Sequence, residues 1–196
     1  MLNVELLHLT EDPIAHIARC ARVSHRSEGT GPEADAELVR KLIGWGHLSV
    51  LEFAHATFLV EGLSRACANQ LTRHRLASFV QESQRYVEVG DRELVQPQSI
   101  ADSGLQGEAE GLYEQARSLY RRLVAAGVPK EDARYVLPIC AETRLVMNVN
   151  FREAHHIIGL RGSRHAQWEI RSLAKSMLSI MRKEAPVAFE DLEVST

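Results

Sequence analysis

The chain has 196 residues, 45% of them hydrophobic and 25% charged, with a formal net charge of −3. That length suits one domain of ordinary size, residues 1–196, and the composition is that of a globular protein. The acidic balance argues against a general nucleic-acid binder, and no apolar run approaches the roughly 20 residues of a membrane span. MLNVELLHLTEDP has neither a basic region nor a cleavage site, so the expected location is cytoplasmic, with no membrane and no nucleic-acid partner.

In chain order, LNVELLHL predicts a short strand, and Asp12-Pro13 opens a helix over IAHIARCAR, where proline is tolerated in the first turn. SHRSEGTGPEAD, residues 24–35, is a polar loop. AELVRKLIGWG follows as a helix with Leu38, Leu42 and Ile43 on one face, broken by Gly44 and Gly46. FAHATFLV predicts a strand that Gly62 ends. Ser64 caps a helix through SRACANQLTRHR, on which Gln70, Arg73 and His74 fall at i, i+3 and i+4 and so share a face. FVQESQRYVEV predicts a strand, and the segment around 90–104 a loop.

Leu105, Ala109, Leu112, Ala116, Leu119, Tyr120 and Leu123 make the cleanest helical stripe in the chain, expected to face the core. Gly127 and Pro129 end it, and a short helix over KEDARYVL stops before Pro138. In ETRLVMNVN, Thr143, Leu145, Met147 and Val149 alternate with Arg144, Val146 and Asn148, as in a half-buried strand. Asn150 and Glu153 resemble a capping box at the head of a helix through FREAHHIIGL, with Gly162 as its stop. Ser163 is the expected cap of a last helix that turns Ile170, Leu173, Ala174, Met177, Leu178 and Met181 inward. The tail from Glu184 to Thr196 carries only acidic charges and is expected to be loosely held. Helices and strands alternate without a regular βαβ rhythm, so the expected class is α+β, mixed helices packed around an antiparallel-type sheet.

Several chemistries lack their signatures. G-x-G-x-x-G after a strand, G-x-x-x-x-G-K-[ST] and G-x-S-x-G are all missing, so a bound nucleotide must be held by arginines and polar side chains. Cys20, Cys67 and Cys140 lie far apart, giving neither a disulfide framework nor a zinc ribbon, and Cys67 and Cys140 are expected to pack in the core. His155 and His156 are adjacent and point to different helix faces, and neither they nor His165 belong to a known ligand pattern, so no metal is expected.

Arg73, Arg75, Arg85, Arg134, Arg152 and Arg161 are candidates for gripping phosphate or carboxylate. Any one of them could equally be solvated surface, but the shared face of Gln70, Arg73 and His74 favours a ligand-binding patch. Ser83 needs an activating base to act as a nucleophile. In a strand its face is shared by Gln81 and Arg85, neither of them a base, so hydrogen bonding to a phosphate is the simpler role.

RHR, seven residues and then S-x-R resembles the signature of the flavin-dependent thymidylate synthases. GHLSVLEF (46–53), SRACANQLTRHR, EDARYVLP and NFREAHHIIGLRGSRHAQWEI resemble that family's other blocks in the family's order, covering roughly residues 10 to 192. The resemblance implies a homotetramer with active sites where subunits meet. It implies reductive methylation of dUMP to dTMP with 5,10-methylenetetrahydrofolate as carbon donor, FAD as hydride carrier and NADPH as reductant, releasing tetrahydrofolate. By motif position, Arg73, His74 and Arg75 would contact FAD, with Arg73 also reaching the nucleotide. Gln70, Gln81, Ser83, Arg85 and Arg134 match dUMP-binding positions, and Arg161 the arginine that holds the uracil ring. Ser49, Asn150, Arg152, His156 and Leu160 match flavin-binding positions, Gln81 also counts among them, and His47 matches a histidine near folate and flavin.

Two positions depart from the pattern: Gln81 stands where some members have glutamate, and His156 where some have asparagine. A cation at the O2/N3 edge of uracil polarises the ring and makes carbon 5 nucleophilic, a role open to Arg161 without an enzyme nucleophile. Two other readings compete. One is a flavin- or nucleotide-binding module without turnover, and the other a nucleic-acid binder, which the missing basic excess disfavours.

Overall fold

The alternation in ETRLVMNVN becomes strand β4 of the structure, a computed structural model that describes residues 1–195. Thr143, Leu145, Met147 and Val149 are each 2% exposed or less, while the residues between them are half-buried or open. The strands are β1 (Asn3–Leu9), β2 (His55–Ser64), β3 (Ser78–Gln81) and β4 (Glu142–Asn150). They form one antiparallel sheet in the order β1-β2-β4-β3. The helices are α1 (Pro13–Arg22), α2 (Pro32–Gly44), α3 (Arg65–Leu71), α4 (Gln98–Asp102) and α5 (Gln106–Ala125). They continue with α6 (Lys130–Ala133), α7 (Phe151–Arg161), α8 (Trp168–Glu184) and α9 (Pro186–Phe189). The expected mixture of helices with an antiparallel-type sheet is therefore what the chain forms.

Gly62 does not end β2. It lies inside the strand at φ +72°, a conformation L side chains resist, and a Cβ there would come 2.2 Å from the Met1 carbonyl oxygen. Glycine is required by that close approach, and the strand runs on to Ser64.

The chain divides into two compact units. The first comprises Met1–Asn3, Val60–Leu71 and Val80–Leu145, and within it α5 packs on α4, α6 and the 3₁₀ turn Arg134–Val136. Ser64 caps α3 as expected, its Oγ accepting the Cys67 N–H at 3.0 Å. The helix ends at Leu71, however, and Thr72–Ala77 form turns, so Gln70, Arg73 and His74 do not share a helical face. His74 is buried and hydrogen-bonded to α7, and such bonds outweigh the few tenths of a kcal/mol per residue that helix propensity contributes.

β3 likewise stops at Gln81, short of the predicted strand through Val89. Ser83 Oγ accepts the Arg85 N–H at 3.3 Å and the Ser83 carbonyl accepts the Val87 N–H at 2.9 Å. This local turn competes with strand pairing, as serine side chains commonly do. The predicted loop at 90–104 contains the short α4.

The stripe expected on α5 faces the core only in part: Tyr120 is fully buried and Leu123 packs against the cluster of Val89, Tyr120 and Ala133. Leu105, Leu112 and Leu119 are 55%, 68% and 39% exposed, and the buried residues of the helix are Tyr113 and Tyr120. Tyr113 donates its hydroxyl proton to the carbonyls of Arg92 and Glu93, and Tyr120 Oη accepts the Val89 N–H at 3.4 Å. Each tyrosine couples an apolar ring to a polar anchor, which fixes the side of the helix that packs and leaves Leu105, Leu112 and Leu119 outside.

The second unit comprises Val4–Leu59, Thr72–Phe79 and Val146–Thr196. In it α1 packs on α2 and on the 3₁₀ segment Leu48–Phe53, α7 on that segment and on α8, and α9 on α2 and α8. The inward residues expected for α8 are all buried. Its cap is Gln167, whose Oε1 accepts from the amides of Glu169 and Ile170, while Ser163 instead starts a turn that closes on Ala166.

The acidic tail is held, not loose. Phe189 is fully buried, Glu190 pairs with Arg40 at 2.8 Å, and Asp191 meets His155 Nε2 at 3.1 Å. The Ser195 N–H donates to the Gly162 carbonyl at 2.8 Å, and Thr196 lies outside the described residues. Cys67 is buried as expected; Cys140 is half-buried, and burial pushes its thiol pKa up.

Candidate functional site

Helix α7 starts where Asn150 Oδ1 accepts the Glu153 N–H at 2.8 Å. Only half of the expected capping box is present, because the Glu153 side chain turns away to His74. From this start Phe151, Ala154, Ile157 and Ile158 face the core, and Arg152, His156, Gly159 and Leu160 open to the other side at helical spacing. Asn150, Arg152, His156 and Leu160 line a cleft of about 880 Å³, with Leu48 and Glu52 of the 3₁₀ segment, Leu76 and Leu192. Arg152 is steadied by an ion pair with Glu52. The lining joins apolar surface to cationic and amide groups and to the carboxylates of Glu52 and Glu153, a combination that takes a ring system carrying polar substituents.

Beside this cleft His74 is 6% exposed. Its Nδ1 lies 3.1 Å from Glu153 Oε1, and its Nε2 accepts the Arg161 Nε proton at 3.0 Å. Burial is the largest influence on the imidazole and lowers its pKa from 6.5; Arg161 and His156 act in the same direction, against the opposing pull of Glu153. His156 stands edge-on to it, ring centroids 5.7 Å apart.

Donor atoms of His74, Glu153 and His156 lie within 4.8 Å of one another, a set able to ligate a metal ion. That grouping was invisible in sequence because His74 is 79 residues from Glu153. In the structure both His74 nitrogens are occupied by hydrogen bonds instead.

Arg73 and Arg75 flank His74 as exposed turn residues, and neither lines the cleft. Ser49 is exposed on the 3₁₀ segment, outside the cleft lining. His47 is exposed just before that segment, its ring edge-on to Trp45 with centroids 6.1 Å apart.

Of the predicted dUMP residues, Gln70, Gln81, Ser83, Arg85 and Arg134 belong to the first unit, and Arg73 and Arg161 to the second. Arg85 donates its Nε proton to Glu131 Oε2 at 2.7 Å, and Arg134 donates its own to the Glu131 carbonyl at 3.0 Å, so one residue ties both arginines. Gln81 Nε2 donates to Thr143 Oγ1 at 3.2 Å, Ser83 lies in the adjoining turn, and Gln70 is half-buried on α3. Arg65 was not foreseen. Its Nη1 is buried without a hydrogen-bond partner, and burial, then the nearby Arg134 charge, lower its pKa. An orphaned guanidinium donor beside another arginine suits an anion.

A model of the family described as thymidylate synthase complementing protein matches residues 5–187. The chain belongs to this family. It is 42% identical to the flavin-dependent thymidylate synthase of Geobacter sulfurreducens, over 97% of this chain and 86% of that one. With the enzyme of the same name from Pyrococcus furiosus identity is 39%, over 93% and 80%. With that from Haloarcula marismortui it is 34%, over 98% and 95%.

Besides Arg65, sequence reasoning missed three carboxylates, Glu52, Glu131 and Glu153. Each orients a predicted ligand-binding residue from a distant part of the chain. Only Glu153 left a trace in the sequence, and that trace pointed to a cap.

Proposed function

We propose that the protein converts dUMP to dTMP with 5,10-methylenetetrahydrofolate as carbon donor, FAD as hydride carrier and NADPH as reductant, releasing tetrahydrofolate. The observation that carries this reading is the cleft of about 880 Å³ on α7, lined by four of the residues expected to bind flavin. Its volume falls in the roughly 300–1,000 Å³ range of small-molecule sites. Family membership along residues 5–187 supports treating residues 1–196 as one catalytic domain.

The residues present fit FAD. The leucines of the cleft suit the apolar ring system, and Asn150, Arg152 and His156 offer polar and cationic partners for its anionic and amide groups, with Ser49, Arg73, His74, Arg75 and Gln81 as further ligands. FAD when bound supplies hydride chemistry that no side chain provides. Gln70, Gln81, Ser83, Arg85 and Arg134, together with Arg73, hold dUMP, the arginines by bidentate contact with its phosphate. Arg161 holds the uracil ring and stabilises negative charge at its O2/N3 edge, which raises electron density at carbon 5. His47 lies near the folate. In this reading the chains assemble as a homotetramer in the cytoplasm, and subunits meet at each active site.

The test is an absorbance spectrum of the purified protein with added FAD, then anaerobic NADPH oxidation with and without dUMP, and assay of dTMP. The expected result is a flavin spectrum, faster NADPH oxidation with dUMP, and dTMP formation that needs the folate. A protein that ignores FAD would sink the reading. Flavin binding without dTMP formation would favour a binding module.

A further inference from the structure

Arg161 Nε carries a proton and can only donate, since a guanidinium has no acceptor. Its partner at 3.0 Å, His74 Nε2, must therefore present a lone pair, which places the imidazole proton on Nδ1. There it meets Glu153 Oε1 at 3.1 Å, and the His74 and Glu153 side chains are only 5% and 7% exposed. One order of protons satisfies both contacts: Glu153 accepts, His74 relays, and Arg161 donates. We propose that Glu153 is a positioning residue that fixes the Nδ1–H tautomer of His74 and, through it, the orientation of Arg161.

This inference rests on the proposed role of Arg161 at the uracil ring and names the group that aims it. Without the Glu153 carboxylate, the imidazole is free to carry its proton on Nε2. That nitrogen would then point N–H against N–H at Arg161, and the guanidinium would swing away. Protonation of His74 would have the same consequence, because both ring nitrogens would become donors. The charged and titratable groups facing the ring are Glu153, Arg161 and His156, all on α7. Burial keeps the ring neutral, the state the relay requires. Glu153 also borders the cleft on α7, and in this scheme its hold on Arg161 runs through His74.

The experiment uses the full chain. In ¹⁵N-edited NMR of the imidazoles at neutral pH, with His74 assigned by its loss in His74→Gln, wild-type His74 should show the Nδ1–H pattern. Glu153→Ala should shift it toward Nε2–H. The same variant should lower kcat for dTMP, expressed per bound FAD, by about tenfold or more. Glu153→Gln, whose carbonyl oxygen still accepts from Nδ1, should recover part of both. An Nε2–H tautomer in the wild type would overturn the proposal, and so would a Glu153→Ala variant with unchanged tautomer and kcat. Should Glu153→Ala fail to fold, the wild-type and Glu153→Gln spectra still decide. If the wild type makes no dTMP, the functional reading fails separately, and the tautomer assignment continues to decide the relay.

Discussion

Phe189 stands edge-on to Phe151, with ring centroids 5.2 Å apart and planes inclined at 65°. Both rings are fully buried, and Phe189 is the large side chain, beside Ala188, by which the short α9 joins the second unit's core. Loss of a buried phenylalanine costs about 3–5 kcal/mol. Phe189→Ala should lower the unfolding free energy by about that amount in urea denaturation. Glu190→Ala, which removes only the exposed pair with Arg40, should stay within about 1 kcal/mol. Similar small effects from both would show that the tail contributes little.

Ser83 sits in a turn, its Oγ already accepting the Arg85 N–H. A hydroxyl so placed suits hydrogen bonding to a phosphate. Ser83→Ala should weaken dUMP binding by about 0.5–1.5 kcal/mol, roughly two- to tenfold in Kd, and leave dTMP formation measurable. Calorimetric titration with dUMP and product assay check the two halves. Complete loss of turnover with binding intact would make the serine a nucleophile.

Arg161 should behave differently. Arg161→Ala removes the charge proposed for the uracil edge and should lower dTMP formation by roughly a hundredfold or more, with FAD retained. Arg161→Lys keeps a cation but loses the planar Nε–H that meets His74 Nε2, so it should restore little. Near-normal turnover in Arg161→Ala would remove Arg161 from the mechanism, and in Arg161→Lys it would show that the cation suffices without the contact to His74.

What the sequence made legible follows the range of the interactions. Period-two alternation alone placed Thr143, Leu145, Met147 and Val149 inside β4, because burial on one face of a strand is a local pattern. The inward face of α8 was equally plain. The failures came where a distant partner decided. His74 left its predicted helix for Glu153, Leu105, Leu112 and Leu119 of α5 stayed exposed because Tyr113 and Tyr120 anchor to backbone around Val89–Glu93, and the acidic tail found Arg40 and His155. At the candidate site, motif spacing pointed to Asn150, Arg152, His156 and Leu160, which share one cleft. It could not reveal what Glu52, Glu131 and Glu153 pair with, because those pairings exist only as proximity in the fold.

The same Tyr113 gives a prediction in pH. Burial pushes its phenol up to about 12 from 10, since the phenolate would have to form away from water and give up the proton it donates to the Arg92 and Glu93 carbonyls. The unfolded chain thus releases this proton first as the pH rises. The neutral phenol contributes stability that is fully present below 10 and is lost as the pH climbs toward the folded value near 12. Thermal unfolding between about pH 9 and 11 should show a progressive loss in the wild type. In Tyr113→Phe this loss should be reduced, against a neutral-pH cost of about 1 kcal/mol from the two carbonyls deprived of their donor. Absorbance titration of the folded protein should find one fewer late-ionising tyrosine in the variant than in the wild type. Equal alkaline slopes for the two proteins would mean that Tyr113 titrates as a solvated phenol.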